Sequence, residues 1–158
     1  MDAKQALADL TEISSQIEAA VLFDESGAIA GATLADEESA KAVAQAAAEL
    51  LERAAAFRAE GGQVSQLEAS SHEGSVFVVR DGSRRIVATT GPSPTVGLVG
   101  FGTGLFAGSV LYRRSTGRRR DRVDVYFADG SMVSLVEGSP EADKLLPVAR
   151  DVLAAVRR

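Results

Sequence analysis

The sequence predicts one α/β (α+β) domain in which pairs of short strands alternate with helices. Three times along the chain, two short strand-like runs are joined by a glycine-containing turn and followed by a helical segment. The length of 158 residues suits a single domain with at most a small appendage. Apolar residues make up 46% of the chain, which is enough for a core, while the 5% share of aromatic residues favours closely packed, alanine-rich helices over a large aromatic pocket.

The chain opens with a predicted helix and a predicted hairpin. Apolar residues that include Leu7 and Leu10 recur at a spacing of three to four and indicate the helix. Residues 18–24 and 28–33 then form two short runs on either side of Gly27, a pattern typical of two strands joined by a tight turn.

A long helix is predicted over residues 36–58. Asp36, Glu37 and Glu38 stand at its start, where carboxylates meet unpaired backbone N–H groups, and Gly61-Gly62 follows its end. Apolar positions recur along it at intervals of four, three, four and three: Val43, Ala47, Leu50, Ala54 and Phe57. This spacing predicts a seam against another helix, which the small alanines let approach closely.

The middle of the chain predicts three strands and a further helix. The polar run at 63–70 is typical of an edge strand. Residues 75–80 and 84–90 flank the Asp81-Gly82 turn and predict a second hairpin. A charge-free stretch follows, in which we expect a helix over 95–112.

The tail repeats the hairpin-then-helix order. Residues 123–127 and 132–136 predict strands, and Ser139-Pro140 is a favourable helix start, with a capping side chain followed by proline at the first position. Pro147 is expected to kink this last helix or to move its start. The hairpin could extend the sheet, cap the core or exchange between protomers.

Charge is distributed unevenly along the sequence. Residues 1–75 carry fourteen acidic and four basic side chains, and residues 76–158 carry eight acidic and thirteen basic ones. Such a two-sided distribution can orient partners or copies of the same chain. The absence of cysteine excludes disulfides and thiolate sites, and with no signal-like N-terminal segment it favours a cytoplasmic location.

The order of elements over residues 3–112 resembles the Roadblock/dynein light chain family, and in particular its bacterial MglB-like members, which accompany MglA-type small GTPases. Three stretches carry the likeness: residues 17–27 (IEAAVLFDESG), residues 76–82 (VFVVRDG) and residues 96–99 (VGLV). The resemblance implies a five-stranded antiparallel sheet with helices on both sides. It covers neither the glycine-rich character of the 95–112 helix nor the tail from residue 113.

The resemblance also implies a homodimer and a class of partner. Family members pack the long central helix against its copy and join sheets through the following strand, here 36–58 and 63–70. The implied dimer interface is Val43, Ala47, Leu50, Ala54, Phe57, Val64 and Leu67. Leu50→Glu should then dissociate the dimer. Such proteins bind small Ras-like GTPases or act as adaptors.

The glycine-rich segment invites two other interpretations, a phosphate loop and a membrane span. Gly100-Phe-Gly102 matches half a dinucleotide fingerprint, but the second half and a following lysine are absent. Gly100, Gly104 and Gly108 recur every four residues, which favours close helix packing. Prolines and polar residues keep the segment too polar for stable membrane insertion.

The arginine cluster is the most prominent candidate contact surface. It comprises Arg113, Arg114, Arg118, Arg119, Arg120 and Arg122. No aromatic residue interleaves with these arginines and the chain as a whole is acidic, so a solvated linker or a dock for an acidic protein surface is favoured over nucleic acid or an anionic membrane.

No residue pattern recommends catalysis, a metal site or a cofactor. His72 is the only histidine, lies in a predicted loop and cannot form a metal site alone where cysteine is absent. The carboxylates at 36–38 are explained by their helix start. We therefore expect no enzyme activity, no catalytic residues and no bound cofactor.

The function predicted is a cytoplasmic, dimeric scaffold or regulator that binds a small Ras-like GTPase or a related regulatory complex. Residues 1–112 would form the Roadblock-like domain, and 113–158 an arginine-rich linker with an appended hairpin and helix. The alternative is a small-molecule-sensing domain with an apolar pocket under the glycine-rich helix.

Overall fold

Three helices and seven strands make up the described part of the chain, which covers residues 3–13, 16–57, 62–92 and 121–158 of a computed structural model. The helices are α1 (Ala3–Ile13), α2 (Glu37–Ala55) and α3 (Pro140–Val156). The strands are β1 (Ile17–Asp24), β2 (Ile29–Ala32), β3 (Val64–Ser71), β4 (Gly74–Asp81), β5 (Arg84–Thr90), β6 (Arg122–Phe127) and β7 (Met132–Val136). The helix expected over 95–112 lies outside these residues.

All seven strands form one antiparallel sheet in the order β2-β1-β5-β4-β3-β6-β7. The expectation of a five-stranded sheet is therefore wrong. The C-terminal hairpin supplies the two additional strands, because β6 pairs along β3 and β7 pairs with β6. Of the three placements left open for this hairpin, the structure shows that it extends the sheet.

The predicted hairpin turns form for local reasons. In the β1–β2 turn, the Asp24 carboxylate accepts from the backbone N–H of Ser26 at 2.8 Å. In the β6–β7 turn, the Asp129 carboxylate accepts from the backbone N–H of Ser131 at 2.9 Å. In the β4–β5 turn, Gly82 has φ +58°, a left-handed conformation that glycine adopts without steric cost.

The main hydrophobic core lies between one face of the sheet and the layer formed by α2 and α3. Strand residues from both parts of the chain line it, including Val21 in β1, Leu67 in β3 and Val125 in β6. A smaller cluster on the opposite face joins Leu7 of α1 to Ala20 and Ala88. The C-terminal hairpin and helix thus share the core of the preceding strands.

The helix starts match the predicted capping residues. Asp36 caps α2 by accepting from the backbone N–H of Ser39 at 2.9 Å, and Ser139 caps α3 by accepting from the backbone N–H of Ala142 at 3.2 Å. Helix α3 continues through Pro147, which is exposed. The suggestion that this proline moves the helix start is therefore wrong.

Candidate binding surface

The predicted dimer seam on α2 is buried inside the single chain. Val43, Ala47, Leu50 and Ala54 have at most 1% of their surface exposed, because α3 packs against α2 on the same face of the sheet. Phe57, just beyond the end of the helix, is half-buried and packs against the same core. The seam is thus a packing surface, as its spacing predicts, but α3 and the sheet of the same chain pack against it.

The strand predicted as a sheet edge is an interior strand. β3 pairs with β4 on one side and with β6 on the other. Val64 and Leu67, assigned to a dimer interface, are buried in the core. The prediction of an edge strand is therefore wrong, and neither residue is available at the surface of the folded chain.

Polar contacts fasten the C-terminal hairpin and helix to the rest of the molecule. Asp121, just before β6, is 4% exposed and accepts from the Arg150 guanidinium at 2.6 Å. The His72 backbone N–H also donates to Asp121, at 3.3 Å. Near the end of α3, Arg157 donates to the Glu73 carbonyl at 2.6 Å. Charge-assisted bonds of this kind add orientation to the apolar packing.

His72 has a structural position in this network. Its imidazole Nδ1 lies 3.6 Å from the Asp121 carboxylate, and its side chain is 69% exposed. The expectation of a surface loop histidine is confirmed. Among the residues that the structure describes, no group of three or more His, Asp or Glu side chains could hold a metal ion.

The outward faces of α2 and α3 form an acidic surface, which we call the acidic helix surface. Its exposed charged residues are Glu37, Glu38, Lys41, Glu49, Glu52 and Arg53 of α2, and Glu141, Asp143, Lys144 and Asp151 of α3. The two cations of α2 are already paired, since Lys41 lies 2.8 Å from Glu37 and Arg53 lies 2.5 Å from Glu49. Carboxylates therefore dominate the charge offered to a partner.

Hydrogen bonds lower the pKa values of two carboxyl groups at the start of α2, those of Asp36 and Glu37. The Ser39 hydroxyl donates to the Asp36 carboxylate at 2.6 Å and lowers the pKa of that carboxyl. The bond from Lys41 likewise lowers the pKa of Glu37. The interpretation of these residues as a helix start, rather than an acid–base pair, accounts for the contacts that they make.

A polar row crosses the opposite face of the sheet, and no local pattern in the sequence predicts it. Glu68 of β3, Asp124 of β6 and Ser134 of β7 are register partners and so lie side by side. Asp124 accepts from the Ser134 hydroxyl at 2.6 Å and from Arg122 at 2.7 Å. Burial is the larger of two causes that raise the pKa of the Glu68 carboxyl, and the negative charge of Asp124 is the smaller.

Arg122 is the member of the arginine cluster that the structure describes. Its guanidinium pairs with Asp124 of its own strand and is 32% exposed. Arg113, Arg114, Arg118, Arg119 and Arg120 lie outside the described residues, as does the pocket expected under the glycine-rich helix. Among the helices in the described ranges, none is long and apolar enough to cross a membrane.

A comparison with solved structures identifies the fold. The chain is similar to the Roadblock/LC7 domain from Streptomyces avermitilis, with a TM-score of 0.52 and 23% sequence identity, over 59% of this chain and 81% of that one. No family model and no curated protein matches the sequence. The Roadblock resemblance is thus confirmed at the level of the fold, with the additional strands β6 and β7 in the same sheet.

Proposed function

We propose that this chain is a non-catalytic regulatory or adaptor module that binds a small Ras-like GTPase through its acidic helix surface. The Roadblock/LC7 fold supports the regulatory role, and the MglB-like resemblance of residues 17–27, 76–82 and 96–99 supports the class of partner. We place this module in the cytoplasm, in agreement with the absence of cysteine.

The observation that carries the choice of surface is the acidic layer formed by α2 and α3. Both helices are anchored by one core, so their exposed carboxylates have a fixed spacing. This surface carries seven carboxylates and three cations, so its net charge is negative. A surface of this sign attracts a basic partner face, accelerates encounter and fixes orientation, and its contribution falls as salt rises.

The test uses purified full-length chain and a small Ras-like GTPase from the same genome, loaded with GDP or with a non-hydrolysable GTP analogue. Binding is measured by titration calorimetry at two salt concentrations. We expect binding that prefers one nucleotide state. Glu38→Lys with Glu52→Lys should weaken it by about tenfold or more, since like charges would then face each other.

A matched control makes the same two carboxylate-to-lysine changes outside the acidic helix surface. Glu25→Lys with Asp81→Lys alters two exposed carboxylates in hairpin turns and should leave the affinity within about twofold. An equal loss in both double variants would reject the acidic helix surface as the site. A lack of binding in both nucleotide states, across the small GTPases of the genome, would reject the GTPase partner.

A further inference from the structure

Strand β7 is the outer strand of the sheet on the C-terminal side, and its side chains are unusually exposed for their type. Among the residues that the structure describes, the exposed large apolar side chains are Met132 at 39%, Val133 at 37% and Val136 at 41%. All three belong to this one strand of five residues. Because side chains alternate along a strand, Met132 and Val136 lie on one face of β7 and Val133 on the other. Exposed apolar groups concentrated on one strand are typical of an interaction surface.

The hydrogen-bond register shows which backbone groups of β7 face outward. The Phe127 N–H donates to the Ser131 carbonyl at 2.9 Å, and the Glu137 N–H donates to the Asp121 carbonyl at 2.8 Å. In an antiparallel pair, residues alternate between bonding inward and facing away. Odd-numbered residues of β7 therefore bond to β6, and Met132 and Ser134 present their N–H and C=O groups outward. Val136 presents its N–H outward, while its carbonyl accepts from the Ser139 N–H at 3.1 Å and from the Ser139 hydroxyl at 2.9 Å.

Nothing in the sequence of β7 blocks this edge. Residues 132–136 (MVSLV) contain no proline, no glycine and no charged residue, the devices by which proteins commonly protect an edge strand. The strand at the opposite end, β2, is four residues long, and Ala30, Gly31 and Ala32 give it little side-chain bulk. The two ends of the sheet thus differ, and β7 is the one suited to pairing.

We propose that β7 is a self-association strand, through which two copies of this chain pair antiparallel about a two-fold axis at Ser134. The pattern of β7 is symmetric about that serine, with two apolar residues on either side. In this register Met132 of one copy faces Val136 of the other, and Val133 faces Leu135. Across the axis, the N–H and C=O groups of the two Ser134 residues bond to each other, and the Val136 N–H of each copy donates to the Met132 carbonyl of the other.

The charges near β7 are compatible with this arrangement. Glu137, which follows the strand, faces Ser131 of the other copy, so no like charges lie opposite each other in the paired segment. The contact is isologous and closes on itself, giving a continuous sheet of about fourteen strands from two seven-stranded halves. Since five residues per copy make a small interface, we expect dissociation constants on the order of micromolar.

The oligomeric state tests the proposal, measured by sedimentation velocity on full-length chain from about 1 to 100 µM, a range that brackets micromolar affinity. We expect a concentration-dependent dimer. Ser134→Pro removes an N–H that points away from β6, and should give a monomer with an unchanged circular dichroism spectrum. Ser134→Ala keeps that N–H and should still dimerise.

A pair of charge variants tests the register without using proline. Met132→Lys with Val136→Lys places like charges opposite each other across the axis and should abolish the dimer. Met132→Glu with Val136→Lys places opposite charges there and should restore it. A wild-type monomer up to about 100 µM would overturn the proposal. So would a dimer that Ser134→Pro and the two-lysine variant leave intact, which would locate the interface elsewhere. Neither outcome depends on whether the chain binds a GTPase.

Discussion

Glu68 is a residue whose ionised form opposes folding. Burial and the neighbouring Asp124 raise the pKa of its carboxyl above the ordinary 4.5, while Arg122 acts in the opposite direction. An acid with a raised pKa in the folded state binds its proton more tightly there than in the unfolded chain. Its cost to stability is therefore present at neutral pH and disappears as pH falls through the folded-state pKa towards 4.5.

Glu68→Gln is expected to raise the free energy of unfolding at neutral pH by roughly 0.5–1 kcal/mol, because the substitution removes the half-buried charge. The advantage over wild type should shrink as pH falls. Urea unfolding of both proteins across pH 4–8 measures this difference. Asp24 and Asp36, whose pKa values are lowered by hydrogen bonds from Ser26 and Ser39, affect both proteins equally and cancel.

The control for Glu68 is Glu52→Gln, at an exposed position on α2, which should change stability by less than about 0.5 kcal/mol. A loss of stability in Glu68→Gln at neutral pH would contradict the argument. It would mean that the carboxylate accepts a hydrogen bond that the amide cannot replace.

At the scale of elements, the position of α2 changes what a mutation in its seam should do. Leu50 has no exposed surface in the single chain. Leu50→Glu therefore inserts a charge between α2 and the core, and should lower the free energy of unfolding by about 3–5 kcal/mol, a large part of the total stability of a small domain. The expectation from the resemblance was instead a folded chain that loses its dimer.

Circular dichroism during urea unfolding, together with sedimentation velocity, distinguishes these two results. Gln45→Glu serves as control, since it introduces the same charge at an exposed position of the same helix. If Leu50→Glu stayed fully folded and only changed its association state, the seam would have to be accessible in solution, against the packing of α3.

Local patterns in the sequence predicted most of the individual elements. Strand alternation and the turns at Gly27, Gly82 and Gly130 placed the hairpins to within a residue or two. Spacing along α2 identified its buried face correctly. These features could be predicted because they depend on neighbours within a few residues.

Pairing between distant elements could not be predicted in the same way. β3 resembles an edge strand because Gln66, Glu68 and Ser70 are polar. Their side chains lie on the sheet face opposite α2 and α3, and the backbone of β3 is paired on both sides. The partner of Leu67 is Val125, and no local signal in either segment specifies it. The sequence of residues 132–136 is typical of an ordinary strand, so the exposure of its apolar side chains could not be predicted either.

At the scale of the whole molecule, the C-terminal hairpin and helix cover the surface that a second copy was expected to cover. A chain ending at Arg120 would lose β6, β7 and α3, and so expose the α2 seam and the free side of β3. We expect this truncated chain to aggregate at concentrations where the full chain remains monomeric or dimeric. Unpaired strand edges and exposed apolar surfaces promote association between chains.

Light scattering behind a sizing column measures the effect of this truncation. The Ser134→Pro variant of the full chain is the reference, since it lacks the outward hydrogen bond of β7 but keeps the cover over α2 and β3. A truncated chain that remained a stable, folded monomer would show that the C-terminal hairpin and helix are dispensable for protecting this surface.

The pairing of β3 with β6 also sets an order of events during synthesis. Strands β3, β4 and β5 follow one another directly and can pair as soon as they leave the ribosome, whereas β6 begins roughly fifty residues after β3 ends. At about 5–20 residues per second, the ribosome needs several seconds to supply it. For that interval every nascent chain carries an unfinished strand edge, and neighbouring ribosomes on one message hold several such edges close together. Slow elongation through residues 91–121 would therefore favour mispaired chains, and fast elongation would favour correctly closed ones.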